Sequence, residues 1–147
     1  MIVEQISFFI ENKAGRLQDI ANVLTENNID ISALSLADTD EYGVLRMIVS
    51  DPHKAKEVLK EHGVIGKVTD VLAISIDDAP GGFSSVLKVL TDNSIDIKYM
   101  YACIARESGK AIMIARVENP IEANKILEAN DVDVHSPSSI YRISGKN

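Results

Sequence analysis

Cysteine, tryptophan and long apolar runs are nearly missing from this chain, and each shortage excludes something. A single cysteine, Cys103, among 147 residues leaves no partner for an internal disulfide, so an oxidising compartment offers no advantage. Apolar runs extend over only a few residues, too short for a bilayer-spanning helix. The opening segment MIVEQISFFI carries Glu4 where a secretory signal carries Lys or Arg, and it lacks a small-residue cleavage site. Cytoplasmic, soluble localisation is the expectation. Basic residues are also scarce: Lys and Arg number 15 against 22 Asp and Glu, a net charge of −7. Residues 1–70 hold 7 basic and 12 acidic side chains (−5), and residues 71–147 hold 8 and 10 (−2). Neither half carries the basic stripe that phosphate backbones or anionic lipids attract, so no nucleic acid and no membrane is expected as a partner.

Catalytic and metal-binding patterns are equally scarce. His53, His62 and His135 lie far apart, and no H-x-x-x-H or C-x-x-C spacing exists, so no metal and no cofactor is expected. The chain has no G-x-S-x-G, no kinase-type set and no Walker loop. Asp77-Asp78 reads as a solvated turn at a strand end rather than an acid–base pair. Cys103, in the strand-like run YMYACIA, reads as a buried, inert thiol. The expectation is a protein that is not an enzyme.

What the chain does have is a repeat. VLTENNIDI at 23–31 returns as VLTDNSIDI at 89–97, identical at seven of nine positions and displaced by 66. The same displacement carries Ile10 onto Ile76, Gly15 onto Gly81, Leu17 onto Phe83, Ile20 onto Val86, Gly43 onto Gly109 and Met47 onto Met113. With two further residues inserted, Asp51-Pro52 falls on Asn119-Pro120. Two domains of one design are expected, at residues 1–70 and 71–147.

Each copy spells the same order of elements. Alternating apolar residues, Ile6, Phe8 and Ile10 or Leu72, Ile74 and Ile76, mark a half-buried strand. A glycine-bearing break follows, then an amphipathic helix with its stripe at Leu17, Ile20, Ala21 and Leu24, or Phe83, Val86, Leu87 and Leu90. Asn27-Asn28 and Asn93-Ser94 stop these helices with residues that tolerate a left-handed cap. Strands follow at roughly 29–38 and 43–50, and at 95–106 and 110–117, the first pair joined by a hairpin through Asp38–Gly43. Asp51-Pro52 and Asn119-Pro120 each supply an N-cap and an N1 proline for a second helix, the first ended by Gly63. Only residues 64–76 are left for the last strand of the first copy and the first strand of the second, and the sequence leaves open whether they form two strands or one long bent strand serving both sheets. The order is βαββαβ, twice: an α+β fold of two ferredoxin-like units in tandem, antiparallel sheets with helices on one face. Units this small bury little core alone, so the copies are expected to pack together and the chain to form a homodimer or a larger complex.

The glycine-bearing turn offers chemistry. A helix's first turn leaves main-chain N–H groups unpaired at the positive end of its dipole, and glycine admits a ligand close to them. Such a turn holds a carboxylate. The same glycines also serve any strand-to-helix turn, and duplication copies structural glycines too, so the turn alone leaves both readings open.

The residues resemble a known family at this point. Asn12-Lys13-Ala14-Gly15-Arg16-Leu17, an amphipathic helix, and then Asn28-Ile29-Asp30-Ile31 are similar to the signature of ACT domains. Asp78-Ala79-Pro80-Gly81-Gly82-Phe83 and Ser94-Ile95-Asp96-Ile97 repeat it. The resemblance implies a regulatory protein that binds an amino acid or similar small zwitterion where two such domains meet. It implies contacts from the loop before the first helix of one domain and from the second strand's start in its neighbour. In this sequence those are Asn12, Gly15, Arg16, Leu17, Asp30, Ile31 and Ser32, and in the second copy Asp78, Gly81, Gly82, Phe83, Asp96, Ile97 and Lys98. Backbone N–H groups would take the carboxylate, and Asp30 or Asp96 the ammonium. Lys13 and Arg16 make the first loop basic, while Asp77 and Asp78 make the second acidic, so unequal sites are expected, with an anionic group favoured near the first.

Three alternatives share the fold. A non-ligand-binding regulatory subunit of an amino acid biosynthesis enzyme, such as acetolactate synthase, would keep the framework without a working pocket. An RNA-recognition module would stack bases on Tyr99 and Tyr101, but aromatics form only 5% of the chain and its charge is negative. A small acylphosphatase-like hydrolase needs an Arg-bearing phosphate loop; Arg16 echoes it, and the second copy has no Arg there.

Overall fold

The computed structural model describes residues 1–11, 13–38, 41–104 and 108–143. The chain runs β1 (Val3–Glu11), α1 (Arg16–Glu26), β2 (Ile31–Asp38), β3 (Tyr42–Val49), α2 (Pro52–Glu61) and β4 (Gly66–Asp77). It continues through α3 (Gly82–Asp92), β5 (Ile97–Ala102), β6 (Lys110–Val117), α4 (Pro120–Ala129) and α5 (Pro137–Ile143). Two compact units form: Glu4–Thr69, and Met1–Val3 together with the chain from Asp70 onward. Residues 66–77 form one strand, which answers a question the sequence leaves open. Its first residues run beside β1, where Ser7 Oγ donates to the Lys67 carbonyl at 3.4 Å. The remainder pairs with β6 from Leu72↔Ala115 to Asp77↔Lys110.

In the first unit β1 pairs antiparallel with β3, and β3 with β2. In the second, β4 pairs with β6 and β6 with β5, while Val134 bridges Ile74 on the other side of β4. The first unit therefore orders its strands fourth, first, third, second, the ferredoxin-like arrangement, and in the second unit the single bridge at Val134 stands in place of the expected last strand. The first core joins Ile6, Phe8, Leu45 and Met47 to Ile20 and Leu24 of α1 and Leu59 of α2. The second joins Leu72, Ile74 and Ala115 to Val86 and Leu90 of α3 and Leu127 of α4. Strand alternation supplies one side and a helical stripe the other, as the periodicities dictate.

Helix ends follow local chemistry. The Asp51 carboxylate accepts from the Lys54 amide at 3.0 Å, and the Asn119 side chain from the Glu122 amide at 3.2 Å, each ahead of an N1 proline. At the C-termini of α1 to α4 the chain closes in the same way. Asn28, Gly63, Ser94 and Asp131 take φ of 56°, 78°, 57° and 59°. The next amide then returns to a carbonyl one turn and a half back: Ile29 to Leu24, Val64 to Leu59, Ile95 to Leu90, and Val132 to Leu127, at 2.9–3.0 Å. This is the Schellman closure, with an apolar contact between the returning residue and the helix.

The structure corrects the repeat alignment. Phe8 pairs with Leu45 and its counterpart Ile74 with Met113; Ile10 pairs with Gly43 and Ile76 with Ala111. Gly43 therefore corresponds to Ala111 rather than Gly109, and Met47 to Ala115 rather than Met113. The two extra residues lie between β5 and β6, before the strand and not after it. Gly109 instead occupies a left-handed turn at φ 73°. The helical stripe also shifts. Ile20, Val23 and Leu24 are buried, but Leu17 is 39% and Phe83 46% exposed; in α3 the first turn buries Gly82, one residue earlier, instead. β5 ends at Ala102, short of the expected 106, and residues 105 and 106 lie outside the described residues, as do Thr39 and Asp40 of the expected hairpin. α5 was not foreseen, although Ser136-Pro137 repeats the cap-and-proline signal and Ser136 Oγ accepts from the Ser139 amide at 3.2 Å.

Candidate functional site

Gly15 and Gly81 stand at the N-caps of α1 and α3 with φ of 85° and 88°, a conformation closed to most side chains. Each turn is pinned from both sides. The Arg16 amide donates to the Lys13 carbonyl at 3.2 Å and the Gly82 amide to the Ala79 carbonyl at 3.0 Å. The Asp19 and Ser85 amides donate to the carbonyls of Gly15 and Gly81 at 3.0 and 2.9 Å. No side chain caps either helix. The amides of Leu17 and Gln18, and of Phe83 and Ser84, are thus left as first-turn donors. Where α2 and α4 cap themselves, α1 and α3 stay open.

The second-copy turn borders a cavity of about 400 Å³. Of the expected site residues Asp78 and Phe83 line it; Ile76, Ala79, Pro80, Ala111 and Met113 complete it with Asp77. Those wall residues escaped sequence reading because their placement depends on the β4–β6 register. Gly82 has a separate reason to be glycine: a Cβ there would lie 2.0 Å from the Asp77 carbonyl oxygen. Arg16 occupies the corresponding position in the first copy. Asn12, the remaining loop residue expected in the site, lies outside the described residues.

Asp30, Ile31 and Ser32, and Asp96, Ile97 and Lys98, begin β2 and β5. Within each unit they lie at the far end of the helix from the glycine turn, since the 11-residue α1 and α3 are each about 16 Å long. No unit by itself joins its own two halves of the expected site. Both strands carry an irregularity that sequence did not reveal. Register shifts between Ile31 and Ala33, and between Ile97 and Tyr99, mark a duplicated β-bulge, a device that re-aims side chains. Asp30 is exposed; its amide donates to Ser50 Oγ and its carbonyl accepts from the Ser50 amide, both at 3.0 Å. Ser32 is only 1% exposed, and its hydroxyl has no hydrogen-bond partner among the described residues. Lys98 is held by Glu118 at 2.7 Å.

Ion pairs temper the charges of both loops. Lys13 Nζ meets Glu11 at 2.8 Å, which raises the lysine's pKa and lowers the carboxylate's through their hydrogen bond. Asp77 is bonded by Lys110. Glu118 is likewise held below the ordinary carboxylate range by its hydrogen bond with Lys98. Burial pushes the Cys103 thiol up to about 12, consistent with an inert side chain. Among the described residues no three His, Cys, Asp or Glu side chains could hold a metal ion, and no helix is long and apolar enough to cross a membrane.

A duplicated ferredoxin-like unit with an open, glycine-turned helix start in each copy defines a tandem regulatory-domain protein. The chain belongs to the ACT domain pair family, whose profile matches residues 1–142. No curated protein matches it. Among solved structures it is similar to protein BT0572 from Bacteroides thetaiotaomicron, at 37% identity over 97% of each chain and a TM-score of 0.90. It shares its fold with the ligand-free regulatory subunit of aspartate kinase from Thermus thermophilus, at 14% identity, 88% of this chain, 96% of that one and a TM-score of 0.65. The Thermus flavus regulatory subunit compares at 15% identity, 88% and 94% coverage, and a TM-score of 0.62. The fold class and family read from the sequence stand.

Proposed function

We propose that this chain is a regulatory protein that binds an amino acid and passes the signal to a metabolic enzyme or through its own oligomerisation, with no catalytic step of its own. The observation that carries this is the contrast among helix starts. Two are closed by a capping side chain, while two are opened by a left-handed glycine, one of them beside a cavity of suitable size. The effector's carboxylate takes the first-turn amides, where the helix dipole favours an anion. Its ammonium takes the carboxylate of Asp30 or Asp96, from the strand start of a neighbouring unit. The buried, unpaired Ser32 hydroxyl gains a partner there in the first copy's strand. Solved relatives of this fold that are regulatory subunits of aspartate kinase support the regulatory part of the reading.

A second reading, an interaction subunit without a ligand, is favoured by exposed Phe9, Leu34, Leu36 and Tyr42 in the first unit. Thermal denaturation of the full chain with each of the twenty amino acids separates the two. An effector at about 100 times its Kd stabilises by about 2.7 kcal/mol, a rise of several degrees. A flat response to all twenty supports the interaction subunit instead.

A further inference from the structure

The corrected repeat alignment shows that the two copies treat the same space differently. In the second copy the wall of the cavity opposite Phe83 is Ala111, paired with Ile76, and the neighbouring residue across from Met113 on β5 is Ala102. The first copy has Gly43 in place of Ala111 and Leu36 in place of Ala102, by the pairings Ile10↔Gly43 and Leu36↔Leu45. There Leu36 lies over Gly43: a Cβ on that glycine would stand 3.0 Å from Leu36 Cδ1. The glycine makes room for the leucine, whose Cδ1 lies against the position that the Ala111 methyl takes in the second copy's cavity wall.

We infer that the described residues leave this place open as an effector cavity in the second copy and not in the first, that the cavity takes an amino acid with an aliphatic side chain, and that Leu36 is the first copy's built-in occupant of the same place. The inference rests on the amino-acid-binding reading above and adds which copy binds and which side chain fits. The walls decide the chemistry. Ile76, Phe83, Ala111 and Met113 offer no hydrogen-bonding side chain to a polar substituent, so a buried carboxylate or amide there loses its water without replacement. Asp77 and Asp78, both exposed, complete the lining and disfavour an acidic side chain. A leucine side chain already lies against the equivalent wall position in the first copy, which makes it the natural template for the ligand.

Titration calorimetry on the full chain with L-leucine, L-valine, L-aspartate and L-lysine tests this. The expected result is one aliphatic amino acid per chain, bound at least about tenfold more tightly than aspartate or lysine. The double variant Ala102→Leu with Ala111→Gly transplants the first copy's filled arrangement, one that the fold already accommodates, and is expected to abolish binding while leaving the melting temperature near that of the parent. The reverse pair, Leu36→Ala with Gly43→Ala, is expected to raise the stoichiometry from one to two. Equal affinity for leucine and aspartate, a preference for lysine, or unchanged binding in the filled variant overturns the inference while leaving the amino-acid-binding reading intact. Absence of binding by all twenty amino acids overturns both.

Discussion

Replacing Gly82 by alanine sets two effects of known size against each other. Alanine is the better helix former by up to about 1 kcal/mol, and Gly82 is the first residue of α3, so propensity alone predicts a gain. Space predicts the opposite. The added Cβ would lie 2.0 Å from the Asp77 carbonyl oxygen, 2.9 Å from its carbon and 3.0 Å from its Cβ. An ordinary carbon–oxygen contact needs about 3.3 Å, so the backbone must part by more than about 1 Å. Nothing soft lies in the way: the obstacle is main chain, fixed by the Asp77↔Lys110 pairing at the end of β4. Overpacking of this kind costs about 1–3 kcal/mol, or more where the surroundings cannot yield, so the clash wins. In a chain of this length the loss lowers the melting temperature by about 3–10 °C. Arg16→Ala, the same repeat position with a Cβ already present, is the control and stays within about 0.5 kcal/mol. Thermal and urea denaturation of both variants read this directly. Gly82→Ala melting within about 1 °C of the parent would refute the close approach of α3 to β4.

Two further outcomes are expected from the same geometry. Asp51→Ala and Asn119→Ala each remove the side chain that caps α2 or α4 and destabilise by about 1 kcal/mol in urea denaturation, whereas Ser84→Ala, in an uncapped first turn, leaves stability nearly unchanged. Cys103, with its thiol pushed up to about 12, is expected to react with iodoacetamide at pH 8 roughly a thousandfold more slowly than a free thiol, and at the ordinary rate once unfolded in guanidinium. The sign follows from linkage. The folded state holds the proton above the unfolded thiol's pKa, so this group's contribution to stability is present at neutral pH and falls as pH climbs through the folded value.

Local signals carried most of the fold. The Asn27-Asn28 and Asn93-Ser94 stops, the two cap-and-proline pairs and the alternating strands each act within a few residues of themselves, so spacing alone places them. What escaped depends on distant residues. The displacement by 66 matched Gly43 to Gly109 by identity, but strand register is set by which residue lies across the sheet, and there Ala111 faces Ile76. Leu17 and Phe83 fit the helical period, yet burial needs an opposing surface, and in α3 that surface meets Gly82 rather than Phe83. The bulges at Ile31–Ala33 and Ile97–Tyr99 left no trace in composition. For the site, the glycine turns were legible because left-handed backbone needs glycine. The cavity beside Phe83 was not, since its walls come from strands up to thirty-odd residues away.

The two copies differ in a way that separates framework from site. Positions fixed by main-chain geometry are the same or equivalent in both: Gly15 and Gly81 at the left-handed turns, Asn28 and Ser94 at the Schellman closures, Asp51-Pro52 and Asn119-Pro120 at the caps. Positions that line or adjoin the glycine turn differ: Arg16 against Gly82, Leu36 against Ala102, Gly43 against Ala111, Leu17 against Phe83. The left-handed turns at Gly15 and Gly81 forgo the side-chain caps that close α2 and α4, caps worth about a few tenths of a kcal/mol over glycine. Forgoing that stabilisation twice, while varying the residues around it, is what a framework does when those donors are reserved for something outside the chain.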